Sequence, residues 1–144
     1  MSAQPTVTIS RVEAWLKSED LNYDLDEDGD VLTGFDNCVF NIIDRGGQFL
    51  SVATVWRADL GEADEAAMRV FVDEHNRTKY GPCATVTTGP DGGSLCADMS
   101  VMISKGMSDA QLKDFLNVAF GAVIGFYESV EEQFPALVTW NEEN

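Results

Sequence analysis

The chain has 144 residues, with 25 acidic against 9 basic side chains, so its formal net charge is −16 at pH 7. Such a surface repels phosphate, which excludes a duplex-DNA or RNA grip and disfavours an anionic membrane. The length fits one domain with a single core, and a hydrophobic share of 44% excludes a disordered acidic tail.

The opening stretch, Met1 to Thr8, has no basic residue and no apolar run, so neither a signal peptide nor a transit peptide is expected there. Ser10-x-x-Glu13 reads as a capping box that opens a first helix, with Ile9, Val12, Trp15 and Leu16 on one stripe and an end near Asp20. Tyr23 and Leu25 then alternate with acids as far as Glu27-Asp28-Gly29-Asp30. Asp28-Gly29 is the expected two-residue hairpin turn, both positions taking positive φ. Strands follow over Val31 to Phe35 and Cys38 to Ile43, and Asp44-Arg45-Gly46-Gly47 turns the chain into a long strand from Gln48 to Arg57. In that strand Leu50, Val52 and Trp56 share one face, while Phe49, Ala53 and Val55 share the other. Apolar residues on both faces predict that both are covered, by helices or by a partner chain.

Asp64 to Arg77 reads as a second helix with Met68, Phe71 and Val72 inward and acids at its positive end. After the break at Gly81-Pro82, strands are expected over Cys83 to Thr88 and Leu95 to Ser104, joined by Gly89-Pro90-Asp91-Gly92-Gly93. Leu95, Ala97, Met99, Val101 and Ile103 point one way in the second of these; Cys96, Asp98, Ser100 and Ser104 point the other.

Ser108-x-x-Gln111 caps a long last helix. Its main stripe is Leu112, Phe115, Leu116, Ala119, Val123, Phe126, Tyr127, Val130 and Phe134, and Pro135 ends it. A small-residue flank adds Val118, Ala122, Gly125 and Ser129. An apolar arc this wide exceeds what one sheet covers, so the helix lies deep or its flank meets another subunit. Gly121-x-x-x-Gly125 is read as tight packing of this helix on the sheet, with a dimer seam as the competing reading. The apolar run Phe115 to Tyr127 is too short to span a bilayer. The order α-β-β-β-α-β-β-α, with the first hairpin arm as a further strand, predicts an α+β domain over residues 8–135, its helices packed on an antiparallel sheet. Residues 136–144 form a short acidic tail whose Trp140 either folds back or anchors a partner.

The chemistry-bearing residues are few. Cys38, Cys83 and Cys96 are an odd count at unrelated spacings, expected as reduced thiols of a cytoplasmic protein, and Cys83 and Cys96 are out of register for a bridge. Asp24-x-Asp26-x-Asp28-Gly29-Asp30 opens like a calcium loop but has Leu32 and Phe35 where later ligands belong, so a solvated acidic hairpin is expected. His75, the single histidine, reads as a surface residue favoured by the helix C-terminus rather than as the base of a Cys83 nucleophile. Gly46-Gly47 and Gly92-Gly93 are hairpin glycines without the lysine or helix of a phosphate cradle. No catalytic residue, cofactor or metal is expected.

In their order and spacing these signals resemble a known family. The opening helix ending Trp15-Leu16, the acidic hairpin Asp26 to Asp30 and the helix finishing His75-Asn76 carry the likeness. So do the strand pair around Asp91-Gly92 and Gly106-x-Ser108-x-x-Gln111-Leu112 leading to Phe134-Pro135. Over roughly Thr8 to Pro135 the chain resembles the YbjN family of sensory transduction regulators, whose fold resembles that of type III secretion chaperones. The resemblance implies a small acidic cytoplasmic protein, usually dimeric, with no agreed enzymatic activity and no functional residues to carry over.

The expected function is therefore a non-enzymatic protein-binding or regulatory module, a homodimer with a chaperone-like role toward a basic or amphipathic partner. Val118, Ala122, Gly125, Ser129 and Trp140 are the candidate dimer or partner contacts. The alternative is a small ligand-binding domain or enzyme with a pocket between helix and sheet. The discriminator is whether the polar strand face of Thr85, Thr87, Cys96, Asp98 and Ser100 forms a concave site or lies in solvent.

Overall fold

The computed structural model describes residues 4–143; the first three residues of the Met1–Thr8 stretch and the last of the tail lie outside the described residues. The elements are α1 (Ile9–Ser18), β1 (Asp24–Leu25), β2 (Val31–Gly34), β3 (Cys38–Arg45), β4 (Phe49–Leu60), α2 (Glu62–Thr78), β5 (Cys83–Gly89), β6 (Gly92–Met102) and α3 (Asp109–Gln133), then short 3-10 turns at Pro135–Leu137 and Trp140–Glu143. All strands pair antiparallel in one sheet of order β1-β2-β3-β4-β6-β5. The α+β reading stands, with the first hairpin arm supplying the two-residue β1. Among the described residues no helix is long and apolar enough to cross a membrane.

The three helices lie on one face of the sheet. α3 packs against β4 and β6, and α2 against β5. Phe40 of β3 stacks on Phe120 of α3 with ring centroids 4.4 Å apart, and Trp15 of α1 meets the same Phe120 edge-on at 5.0 Å. The expected stripes of α1 and α2 point inward as read, with Val12, Trp15, Leu16, Met68 and Val72 buried and Phe71 half-buried. Phe120, outside the expected α3 stripe, is buried as well. Its burial explains much of the wide apolar arc: α3 is held between α1 and the sheet, so two neighbours cover it.

Several local expectations are corrected. The N-cap of α1 is Thr8, whose Oγ1 accepts from the Arg11 amide at 3.3 Å; Ser10 sits inside the first turn. Arg11 also donates to the carbonyls of Pro5 and Thr6, which draws the helix start toward the preceding segment. In the acidic hairpin only Gly29 has positive φ, at 83°. The Asp26 carboxylate accepts from the amides of Asp28 and Asp30, both at 2.9 Å, which holds a turn that closes on one left-handed glycine. The β5–β6 connection is tighter than read: Gly89 pairs with Gly92, leaving Pro90 and Asp91 at the tip. Gly121 and Gly125 would have nothing within 4 Å of an added Cβ, so they mark the outer side of α3 rather than a close approach to the sheet.

On β4 the helices of this chain cover one of the two faces. Leu50, Val52 and Trp56 are buried beneath the helices, but the opposite face is uncovered within this chain, and Phe49 and Val55 are exposed.

Candidate interaction surface

Antiparallel pairing sets the open face in rows. Val39, Val55, Cys96 and Thr85 lie side by side; next come Asn41, Ala53, Asp98 and Cys83; then Ile43, Ser51 and Ser100; then Arg45, Phe49 and Met102. Residues paired across strands share a face, so a single side of the sheet carries all of them. Four large apolar side chains stand out there: Phe49 is 41% exposed, Val55 44%, Val39 51% and Met102 70%. They form two patches, Val39 with Val55 and Phe49 with Met102.

A polar belt separates the patches. Ser51 Oγ lies 2.8 Å from Ser100 Oγ and accepts from Arg45 Nε at 2.9 Å. That network satisfies Ser51, which is 2% exposed, and lays the guanidinium of Arg45 along the sheet. Asp98 and Asp59 point to this side as well, by strand alternation and by pairing with Cys83 and Ser94.

The helix-covered face is closed differently. Thr54 Oγ1 donates to the Ala97 carbonyl at 2.6 Å and so accepts from the Tyr127 hydroxyl at 2.8 Å, a buried link between β4 and α3. Burial pushes the Tyr127 hydroxyl above its ordinary range. Near the far end, Glu131 accepts from Trp56 Nε1 at 3.0 Å and Asn37 Nδ2 at 2.8 Å. Burial, with the Glu131 charge behind it, pushes the nearby Cys38 thiol up to about 12. Such a thiol is inert, whereas Cys83 is exposed and Cys96 half-buried on the open side. Cys96 pairs with Thr85 and Cys83 with Asp98, so the two cysteines are not opposite each other.

The sequence-derived candidates fall in three places. Val118 is 59% exposed on the outer side of α3, beside exposed Gly125 and half-buried Ala122 and Ser129; the Ser129 hydroxyl donates to the Phe126 carbonyl. Trp140 is folded back, 7% exposed, edge-on to Trp56 at 5.9 Å and under the Arg57 guanidinium at 5.4 Å. His75 is half-buried rather than a surface residue: Nε2 donates to the Pro82 carbonyl at 2.8 Å and its ring centroid lies 4.5 Å from that of Phe126. The carboxylates of Asp26, Asp28 and Asp30 come within 4.8 Å of one another on a strand–turn–strand, with Leu32 paired to Asp24 in the sheet. Burial first, then the charges of Asp26 and Asp28, raises the Asp30 carboxyl. Thr85, Thr87, Cys96, Asp98 and Ser100 all lie on the open face, so they do not line a pocket between helix and sheet.

Sequence reasoning found Phe49, Ala53 and Val55 but not their grouping with Val39 and Met102. Alternation along each strand held the signal; the pairing register was needed to assemble it.

Comparison with curated proteins gave no match. Among solved structures the fold is similar to that of YbjN from E. coli, described as "a putative transcription regulator", at TM-score 0.73 and 12% identity over 92% of this chain and 97% of that chain. A weaker likeness, TM-score 0.48 at 14% identity over 89% of this chain and 97% of that chain, is to the Yersinia pestis type III secretion chaperone SycH, solved in complex with a stable fragment of YscM2. The family model described as "Putative bacterial sensory transduction regulator" matches residues 8–132, from the cap of α1 almost to the end of α3, and the chain therefore belongs to the YbjN family.

Proposed function

We propose that this chain is a non-enzymatic regulatory module of the cytoplasm that binds another protein and works as a homodimer. The observation that carries the reading is the open sheet face, where Val39, Phe49, Val55 and Met102 are exposed together on one side. Exposed apolar patches on a soluble domain mark interaction surfaces. The net charge of −16 makes a protein partner, basic or amphipathic, the favoured one over nucleic acid. In this reading residues 8–135 are the domain, and the tail from 136 onward is a strap that seats Trp140 on Trp56.

The outer flank of α3, with Val118, Ala122, Gly125 and Ser129, is the proposed dimer seam, because its small side chains let a second helix approach closely. Light scattering on the purified chain tests the dimer: the expected mass is that of two chains, falling to one in Val118→Asp. A wild-type chain that stays monomeric at high concentration overturns it. Affinity capture from the native host, with identification by mass spectrometry, tests the partner half. Capture must be lost in an open-face variant, and capture indifferent to both surfaces removes the protein-binding reading.

A further inference from the structure

The open sheet face defines its occupant more closely than its hydrophobicity alone. We propose that it seats an amphipathic, cationic helix of a partner protein, about four turns long and lying along β4. This inference rests on the protein-binding reading above and deepens it.

The backbone supplies the first reason. β3, β4 and β6 are interior strands, paired on both sides, so they offer no free amides or carbonyls to a ligand lying on the face. An extended peptide laid there would bury unpaired backbone groups, whereas a helix satisfies its own. Strand addition needs a free edge; at one end of the sheet β1 offers only two residues, and at the other the outer edge of β5 is engaged. Asn76 of α2 donates through Nδ2 to the Ala84 carbonyl at 2.9 Å and accepts through Oδ1 from the Ala84 amide at 3.0 Å. Arg69, two turns earlier on the same side of α2, donates to the Val86 carbonyl at 3.4 Å and to Thr88 Oγ1 at 3.1 Å. Side chains of α2 thus stand where a seventh strand would pair.

Spacing and charge supply the rest. The two apolar patches sit at Val55 and Phe49 of β4. Six residues of strand separate them by about 20 Å, which a helix covers in about 13 residues, close to four turns. Between them the belt of Arg45, Ser51 and Ser100 favours a polar residue at the middle of the docking helix. Asp24, Asp59 and Asp98 point to this side and outnumber the Arg45 guanidinium, which Ser51 holds in the belt. On a chain at −16 these carboxylates favour lysine or arginine flanking the apolar stripe. A second copy on this face would set Asp24, Asp59 and Asp98 against their own counterparts, so the homodimer proposed above uses the flank of α3 instead.

A four-turn Leu–Lys helical peptide, titrated into the full chain at physiological salt and followed by anisotropy and backbone amide NMR, provides the test. Controls are a Leu–Glu analogue and a Leu–Lys peptide broken by central prolines. The expected result is amide shifts centred on β3, β4 and β6, with binding by both controls weaker by at least about tenfold, the loss typical of one interface anchor. The double variant Val55→Asp, Met102→Asp makes the protein more acidic, so simple charge attraction would tighten, while docking on the face weakens by about tenfold or more. Should that variant unfold, Val55→Thr with Met102→Thr keeps strand-compatible side chains and must still weaken binding. Equal binding by the broken peptide, or binding unchanged or tightened in the Asp variant, overturns the proposal. Wild-type self-association that is abolished by the same variants assigns the face to a second copy and overturns it too. Absence of peptide binding while host-partner capture persists removes the helix inference and leaves the protein-binding reading intact.

Discussion

The two faces of this sheet come from the same strands and the same alternation, yet they end in opposite environments. On one face Phe40, Ile42, Leu50, Val52, Trp56, Leu95 and Ala97 are buried beneath the helices. On the other, Val39, Val55, Phe49 and Met102 stay exposed although their residue types differ little. The difference lies in the neighbours. On the covered face Thr54 and Trp56 reach α3, through Tyr127 and Glu131, while Ser51 on the open face is satisfied within the sheet by Ser100 and Arg45. Hydrophobicity alone therefore does not distinguish the covered face from the open one; links from the strands to a helix do.

The sharpest way to break this contrast is thiol labelling, since Cys38 points to the covered face and Cys83 and Cys96 to the open one. Burial raises the Cys38 thiol from 9.0 to about 12. At tenfold per pH unit that alone cuts its thiolate by about 1000-fold, so alkylation of the native protein should modify Cys83 first and spare Cys38 until unfolding. Rapid labelling of Cys38, read by mass spectrometry, would show that the covered face opens freely.

Truncation comes next. Phe40, 0% exposed and wedged among Phe35 and Phe120, should cost about 3–5 kcal/mol when replaced by alanine, measured by urea unfolding. The same truncation at Val39, its neighbour on the open face, should stay within about 0.5 kcal/mol. Comparable losses at both positions would mean that the open face is covered in solution. Thr54→Val leaves the Tyr127 hydroxyl buried without its acceptor and should cost about 1–3 kcal/mol. A double-mutant cycle with Tyr127→Phe should recover part of that loss.

The smallest effect is expected at the acidic hairpin. Asp30 is raised by burial and by the charges of Asp26 and Asp28, so the folded chain holds its proton more tightly than the unfolded chain does. The ionised carboxylate therefore costs stability above the folded value, and the cost vanishes as pH falls below the unfolded one. Asp30→Asn should raise Tm modestly near neutral pH and leave it unchanged in acid. A gain that persists in acid would point to packing rather than charge.

Much of the fold was legible because its signals are local. Alternation placed the main strands, and the capping box at Ser108 with Gln111 placed the start of α3. Misreadings arose where distant residues decide. Arg11, which holds the segment before α1, is itself anchored to the Met107 carbonyl and the Asp109 carboxylate, and Phe120 is buried because Phe40 and Trp15 reach it from elements far away in sequence. His75 is half-buried because the turn at Pro82 brings a carbonyl over it. The acidic composition was equally legible, but it located no site.

By itself, then, the sequence determined the class of fold, the stripes of its helices and the two-sided apolar character of β4, all consequences of side-chain periodicity along a single element. Only the tertiary structure decided which of the two sides the helices cover. It also decided that α2 blocks the outer edge of β5 through Asn76, and that Trp140 lies inward on Trp56. Those outcomes depend on contacts between different elements, and the periodicity of one element carries no information about which surface another will take.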